Sequence, residues 1–218
     1  MFGERQVETP HFGSSSSFLV QTTELWAVEL ASKVRGSLKV DLLRTKSGWP
    51  LRVKAMRAAW EPFSWLLRLP LGKHFSVIRV LLLRIFGAKI GSRVLVHGGV
   101  RVWCPWNLRV GDFSAIAWGV EIYNLASVEI GSMTVVSQYS YLCAATHDFQ
   151  SPVLDLTCIP IVIKDQVWIA AKSTVLPGVT IEQGVVVGAC SVVTRNVPAW
   201  TVVAGNPARV LRAREMMV

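Results

Sequence analysis

Metal and disulfide chemistry have little to work with in this chain. Its four cysteines, Cys104, Cys143, Cys158 and Cys190, show no CxxC spacing and no histidine partner at zinc-finger distance. That argues against a disulfide scaffold and against a metal site, and it suits a reducing compartment. Only four histidines are present, His11, His74, His97 and His147. Charged residues make up 17% of the chain against 51% apolar ones, a balance that excludes a disordered protein. No Gly-x-Ser-x-Gly elbow announces a serine nucleophile. Nor does an apolar run reach the roughly 20 residues of a membrane span, because Arg79, Arg84 and Lys89 interrupt the stretch from Phe75 to Ile90. Residues 1–17 are polar and mixed in charge, unlike a signal peptide. A cytoplasmic protein is the expectation.

Basic residues outnumber acidic ones chiefly at the front. The net charge is +9, but residues 1–89 carry 14 basic and 6 acidic groups, whereas residues 90–218 carry 9 and 8. A nucleic-acid binder would carry its basic groups on the folded module together with a reading motif, and neither is found. Within the front, Val77, Ile78, Leu81, Leu82, Ile85 and Phe86 form a broad apolar sector on a helical projection, which reads as a buried helix, with surface attachment or subunit packing as the alternatives. Leu51 to Leu71 mixes Trp60, Phe63, Trp65 and leucines with Arg52, Lys54, Arg57 and Arg68. This pattern fits either the interface of an anionic membrane, through residues 50–89, or a helix face packed on the rest of the protein. Pro62 and Pro70 are expected to break the segment into short pieces. Residues 22–46 read as a further amphipathic helix, and Ser14–Ser17 as a flexible lead-in.

From residue 90 the pattern changes period. Branched or apolar residues recur every six positions at Ile90, Val96 and Val102, at Val110, Ile116 and Ile122, and at Ile130, Val136 and Leu142. They resume at Ile163, Ile169, Val175, Ile181, Val187 and Val193. The fifth position of most units is also small or branched, as in Val94, Ser114, Thr134, Ser140, Ser173 and Ser191. Six matches neither the 3.6 of a helix nor unrelated hairpins; it suits short strands joined by regular turns in a coil. The reading is an all-β solenoid of about five triangular coils, roughly 24 Å tall at about 4.8 Å per coil. Two phase shifts of two residues interrupt the repeat, and a longer insertion separates Leu142 from Ile163. One hexad, LCAATH, accounts for 142–147, and residues 148–162 form an extruded loop. The domain division is therefore an N-terminal basic amphipathic helical extension over 1–89, a solenoid domain over 90–200 and a C-terminal tail over 201–218.

The run VWIAAKSTVLPGVTIEQGVVVGACSVVTRNVPAWTVVAGNPARVLR, Val167 to Arg212, resembles the left-handed β-helix acyltransferases of the hexapeptide-repeat family. LLRIFGAKIG, PWNLRVGD and SQYSYLCAATHDF are similar to the branch associated with exopolysaccharide synthesis, including colanic-acid-type acetyltransferases. The resemblance, over about residues 80–214, implies the left-handed crossover, acetyl-CoA as donor and a homotrimer with donor grooves between prisms.

It also implies site residues. In related enzymes the histidine of a T-H or S-H pair before the extended loop is the general base toward an acceptor hydroxyl, which here is His147. A neutral imidazole can take the hydroxyl proton as the oxygen attacks a thioester carbonyl. Asn124 matches an asparagine placed near the acceptor in the maltose, galactoside and nodulation branches, although the acidic residue that follows it there is missing here. Asp148 stands beside His147, either orienting it or facing solvent. Turn amides around Ala170, Ala171 and Gly188 would hold the pantetheine arm, with Lys172, Arg209 and Arg212 toward the CoA phosphates. The function so implied is acetyl-CoA-dependent O-acetylation of a sugar hydroxyl on a polysaccharide precursor. An N-acetyltransferase acting on an amino sugar or amino acid, and a noncatalytic membrane-associated scaffold, remain open at this level. A zinc hydratase on the same prism would need three converging histidines, and two of the four precede the repeat.

Overall fold

The computed structural model describes Val40, residues 49–69 and residues 72–216. The expectations for 14–17, 22–46 and Pro70 lie outside those residues. From Lys89 onward the chain winds as a left-handed parallel β-helix with three flat faces. The first face stacks strands Lys89–Ile90, Leu108–Val110, Val128–Ile130, Ile161–Ile163 and Thr180–Ile181. The second stacks Leu95–Val96, Ala115–Ile116, Val135–Val136, Trp168–Ile169, Val186–Val187 and Thr201–Gly205. The third stacks Arg101–Val102, Glu121–Tyr123, Tyr141–Cys143, Thr174–Val175 and Val192–Val193. Five coils are thus complete, and a partial sixth is begun by Val197, which bridges to Ile181, and by Val203.

Every one of the fifteen hexad residues points into the prism, from Ile90 at 8% exposure to Val193 at 1%. The small fifth-position residues lie beside them, and their hydroxyls tie one coil to the next. Ser114 donates to the Gly131 carbonyl at 2.7 Å, Thr134 to Lys164 at 2.9 Å, Ser140 to Ala170 at 3.1 Å and Ser173 to Gly188 at 2.9 Å. Buried hydroxyls are tolerated here because each has a carbonyl within reach. Close stacking also fixes some corners as glycine: a Cβ on Gly188 would lie 2.8 Å from that of Ala204 on the next coil. Residues 201–213 form an antiparallel hairpin rather than a loose tail, its first strand continuing the second face and its second strand, Ala208–Ala213, closing that edge. Arg214 then anchors the chain on the Gln166 and Gly184 carbonyls, both at 2.8 Å.

The front of the chain caps the first coil. Helix α1 is Leu51–Arg68 and α2 is Ser76–Ile85. Two expectations fail here, for related reasons. Pro62 does not break α1, which runs 18 residues through it. The proline is exposed, and the helix is held by Trp60, Ser64 and Leu67, buried at the i, i+4, i+7 spacing of one face. Most of the apolar sector of α2 is also not its buried face, although Leu82 and Phe86 pack partly against the core. Val77, Ile78, Leu81 and Ile85 are exposed, while Ser76 and Arg79 are buried beside Val80 and Leu83. The cause is the open edge of the solenoid, whose first coil has backbone groups with no preceding strand to pair with. Arg79 donates to the carbonyls of Val96, Leu69 and Gly72. Ser76 Oγ accepts from the Val96 N–H at 2.8 Å, and Arg84 donates to Ile90 and Gly91. On the third face Trp60 Nε1 donates to the Val102 carbonyl at 2.8 Å, and Arg57 to that of Trp103 at 2.7 Å. Polar side chains face inward because that is where the donors are needed.

Candidate active site

The interruptions of the repeat fall at one place. Val102 to Val110, Ile122 to Ile130 and Leu142 to Ile163 are all passages from the third face to the first, so the two short shifts and the long insertion stack on a single edge of the prism. On the first coil this corner is a 3-10 turn, Pro105–Asn107. On the second it is Asn124 to Ser127, and on the third it is the extruded segment. Asn107 joins the first two by donating to the carbonyls of Asn124 at 3.2 Å and Leu125 at 2.8 Å.

The extrusion departs earlier than its expected start at residue 148. Ala145–His147 already pairs antiparallel with Leu156–Cys158, so a hairpin carries His147 outward opposite Leu156. Its base is fixed by Ala144 N–H to the Tyr123 carbonyl, Ile159 N–H to Ala144 and Ile161 N–H to Ser127. Its tip is fixed internally. Asp148 N–H donates to the Asp155 carbonyl, Asp148 Oδ1 accepts from the Gln150 N–H at 2.9 Å, and Ser151 Oγ donates to Asp155 Oδ2 at 2.7 Å. Leu154, at a left-handed φ of 50°, turns its carbonyl onto His147 Nδ1 at 2.7 Å. A carbonyl only accepts, so Nδ1 carries the proton and Nε2 keeps its lone pair. The exposed imidazole is thereby held in the tautomer a base requires. Leu154, which the sequence did not single out, orients the ring, while Asp148 builds the loop's own turn.

Asn124 is placed differently from expectation. It is fully buried, its Oδ1 accepting from the Cys104 N–H at 2.9 Å and its Nδ2 donating to the Cys104 carbonyl at 2.6 Å. Its amide holds the corner above it. Thiols at this edge do not act as ready nucleophiles. Burial pushes Cys104 up to about 11, overcoming the opposing pull of Arg57. Burial raises Cys158 as well, and the Cys143 thiol donates to the Ala145 carbonyl at 3.0 Å. Beside the corner lies a cavity of about 520 Å³ that the sequence did not reveal, lined by Trp49, Arg52, Trp106, Asn107, Leu125 and Cys158 among others. It brings the start of α1, the upper two corners and the base of the hairpin to one hollow.

The donor candidates lie on the opposite edge of the third face, where the second face turns into it. Ala170, Ala171 and Lys172 form this corner on the fourth coil, and Gly188 on the fifth. Of the expected turn amides at Ala170, Ala171 and Gly188, those of Ala170 and Gly188 already donate to Val187 and Val203, as that of Lys172 does to Gln138. What the edge presents is the half-buried Ala171 and the exposed Lys172 side chain. Arg209 and Arg212 are exposed on the outer strand of the C-terminal hairpin. Within one chain His147 and the corner of Ala171 and Lys172 are therefore separated by the width of the third face.

The hairpin of this β-helix thus displays an exposed histidine whose Nδ1 is fixed by the Leu154 carbonyl. Comparison with known proteins gives the class. The family model for the bacterial transferase hexapeptide, six repeats, matches residues 160–195. An Escherichia coli (strain K12) protein provisionally assigned as the colanic acid biosynthesis acetyltransferase WcaF is 45% identical over 165 residues, covering 74% of this chain and 84% of that protein. Among solved structures, the hexapeptide-repeat acetyltransferase VCA0836 of Vibrio cholerae in complex with acetyl coenzyme A superposes with a TM-score of 0.72 at 27% identity, covering 79% of this chain and 94% of that one. A maltose O-acetyltransferase from Clostridium difficile 630 gives 0.67 at 26% identity, over 77% and 90% of the two chains. The chain belongs to the hexapeptide-repeat acyltransferase family, and it is an acyltransferase.

Proposed function

We propose that this enzyme transfers the acetyl group of acetyl-CoA to a sugar hydroxyl of a polysaccharide precursor in the cytoplasm. The observation that carries the reading is the 2.7 Å contact of His147 Nδ1 with the Leu154 carbonyl, which leaves Nε2 as a proton acceptor on an exposed hairpin. In the reaction Nε2 takes the hydroxyl proton as the sugar oxygen attacks the thioester carbonyl. The tetrahedral intermediate collapses with cleavage of the C–S bond, and the imidazolium returns the proton to the departing CoA sulfur. Ester and free CoA are the products, with no covalent enzyme intermediate. The donor is supported by the Vibrio cholerae relative, whose structure holds acetyl coenzyme A, and the glycan acceptor by the colanic-acid relative.

The acceptor occupies the cavity beside the hairpin, where Trp49 and Trp106 offer faces to a sugar ring and Arg52 offers a charged donor. Lys172, Arg209 and Arg212 take the phosphates of CoA. His147 and the donor edge lie on opposite sides of the third face, so a complete site is formed when the hairpin of one copy meets the donor edge of another. A homotrimer satisfies this three times over. Asn124 supports the wall of the acceptor side through Cys104.

Calorimetric titration with acetyl-CoA, with the oligomeric mass measured alongside, tests the donor half. Binding of about one donor per chain to a trimer, weakened by Arg209→Ala, is expected. No binding to a folded trimer overturns the assignment.

A further inference from the structure

The inverted helix α2 leaves a face that the cap does not use. Val77, Ile78, Leu81 and Ile85 lie within about a 100° sector of the helix and are 75, 56, 55 and 70% exposed. Ile85 continues into a shallow apolar cleft of about 340 Å³ shared with Met56, Ala59 and Trp106. Contiguous apolar surface of this kind marks a contact site, whereas scattered single residues do not. The face cannot turn inward, since Ser76, Arg79, Val80 and Leu83 already hold the opposite side against the first coil.

Charge identifies the occupant. Between Glu61 and Asp112 the chain has no acidic residue, and it carries Arg68, Lys73, Arg79, Arg84, Lys89, Arg93, Arg101 and Arg109. Arg84, Lys89 and Arg93, which are exposed, follow directly from the apolar stripe. Arg79 is buried in the cap, and Arg68, Arg101 and Arg109 already meet Glu61, Glu121 and Glu129, so Arg84, Lys89 and Arg93 are the exposed cations beside the stripe. A second copy laid on this face would set these three against their own kind, whereas an anionic surface would attract them all. Among the described residues no helix is long and apolar enough to cross a membrane, so contact with lipid here is with its surface.

We propose that the exposed face of α2 docks on bilayers containing acidic phospholipid, the apolar stripe entering the boundary between headgroups and acyl chains and the basic flanks meeting the lipid phosphates. The hairpin of His147 leaves the third coil, roughly 10 Å along the prism from the capped first coil. With the thickness of α2, about 10 Å, between coil and lipid, docking holds His147 roughly 20 Å above the surface, a height that a glycan carried on a lipid would span. The docking itself is independent of the acetyl-transfer reading.

Flotation of the full chain with phosphatidylcholine vesicles, with and without phosphatidylglycerol, tests the proposal. Capture by the phosphatidylglycerol vesicles alone is expected, falling at least about tenfold in the Ile78→Glu/Leu81→Glu variant and several-fold in about 0.5 M salt. A melting temperature matching the unmodified chain shows that the variant is folded; the milder Val77→Ser/Ile85→Ser variant serves if it is not, and is expected to weaken capture in the same direction. Absence of capture by either vesicle overturns the proposal, as does capture that the substitutions leave unchanged. A fall in oligomeric mass caused by the glutamates overturns it too, because the face then belongs to a second copy of the chain.

Discussion

Replacing Asn124 by alanine separates a structural amide from one that touches substrate. The side chain has no solvent exposure, and it closes two hydrogen bonds with the Cys104 backbone at 2.9 and 2.6 Å. Alanine leaves the buried Cys104 N–H without a partner, at about 1–3 kcal/mol, while the Cys104 carbonyl loses one bond but keeps the Asn107 N–H at 2.9 Å. That lost bond and a modest cavity add to this, so the total loss is about 2–4 kcal/mol. For a chain of this size each kcal/mol lowers the melting temperature by about 2–4 °C, giving a fall of roughly 10 °C. Asn124→Asp keeps the shape but must stay protonated to donate to the Cys104 carbonyl, so its cost is smallest in acid and grows as the pH rises through the carboxyl's pKa. Circular dichroism melts over a pH series measure both effects, and acetyl-CoA titration checks the donor side. An Asn124→Ala protein that melts within about 2 °C of the unmodified chain yet no longer acetylates would refute the reasoning, since the amide would then serve the acceptor.

The cap makes a second prediction. Arg79→Met removes donors from the carbonyls of Val96, Leu69 and Gly72 and should lower stability by about 3 kcal/mol or more in urea unfolding, whereas Arg93→Met, exposed on the surface, should change it by less than about 0.5 kcal/mol. Equal effects of the two would contradict the edge-capping role. A third concerns alkaline pH. Burial raises Cys104 from 9.0 to about 11, so above pH 9 the unfolded chain loses this proton before the folded one does. Stability from this group is complete below pH 9 and falls by about 2–3 kcal/mol as the pH rises to 11. Cys104→Ala should flatten that limb in pH-dependent unfolding, and an unchanged limb would show that another group is responsible.

The solenoid was legible because its core is periodic. Six-residue spacing of branched side chains admits few folds, and Ile90 to Val193 point inward as the pattern requires. Val197 and Val203 escaped the pattern because the spacing from Val193 to Val197 is four, so the partial sixth coil was invisible to a six-residue count. The active edge was half legible. The breaks after Val102, Ile122 and Leu142 each follow a third hexad, which places them on one corner once three faces are assumed. Leu154 was not legible at all, since its part is a backbone carbonyl turned by a left-handed φ, and no side-chain type records that. Asn124 misled because a polar residue at a corner reads equally well as facing out or in. The helices misled for a deeper reason. Apolar patterning assumes that the interior is greasy, but the interior beneath α2 is the open edge of a β-helix, which asks for donors.

The central claim is that His147 Nε2 removes the proton from the acceptor hydroxyl while Leu154 holds Nδ1. Release of free CoA from acetyl-CoA, followed against a panel of glycan acceptors for the unmodified enzyme and for His147→Ala, tests it most directly. The account predicts acceptor-dependent release by the former and a loss of about 10²–10⁴ in kcat for the latter, with the Kd for acetyl-CoA unchanged. A His147→Ala enzyme that still acetylates the same acceptor within about threefold of the original rate would contradict it.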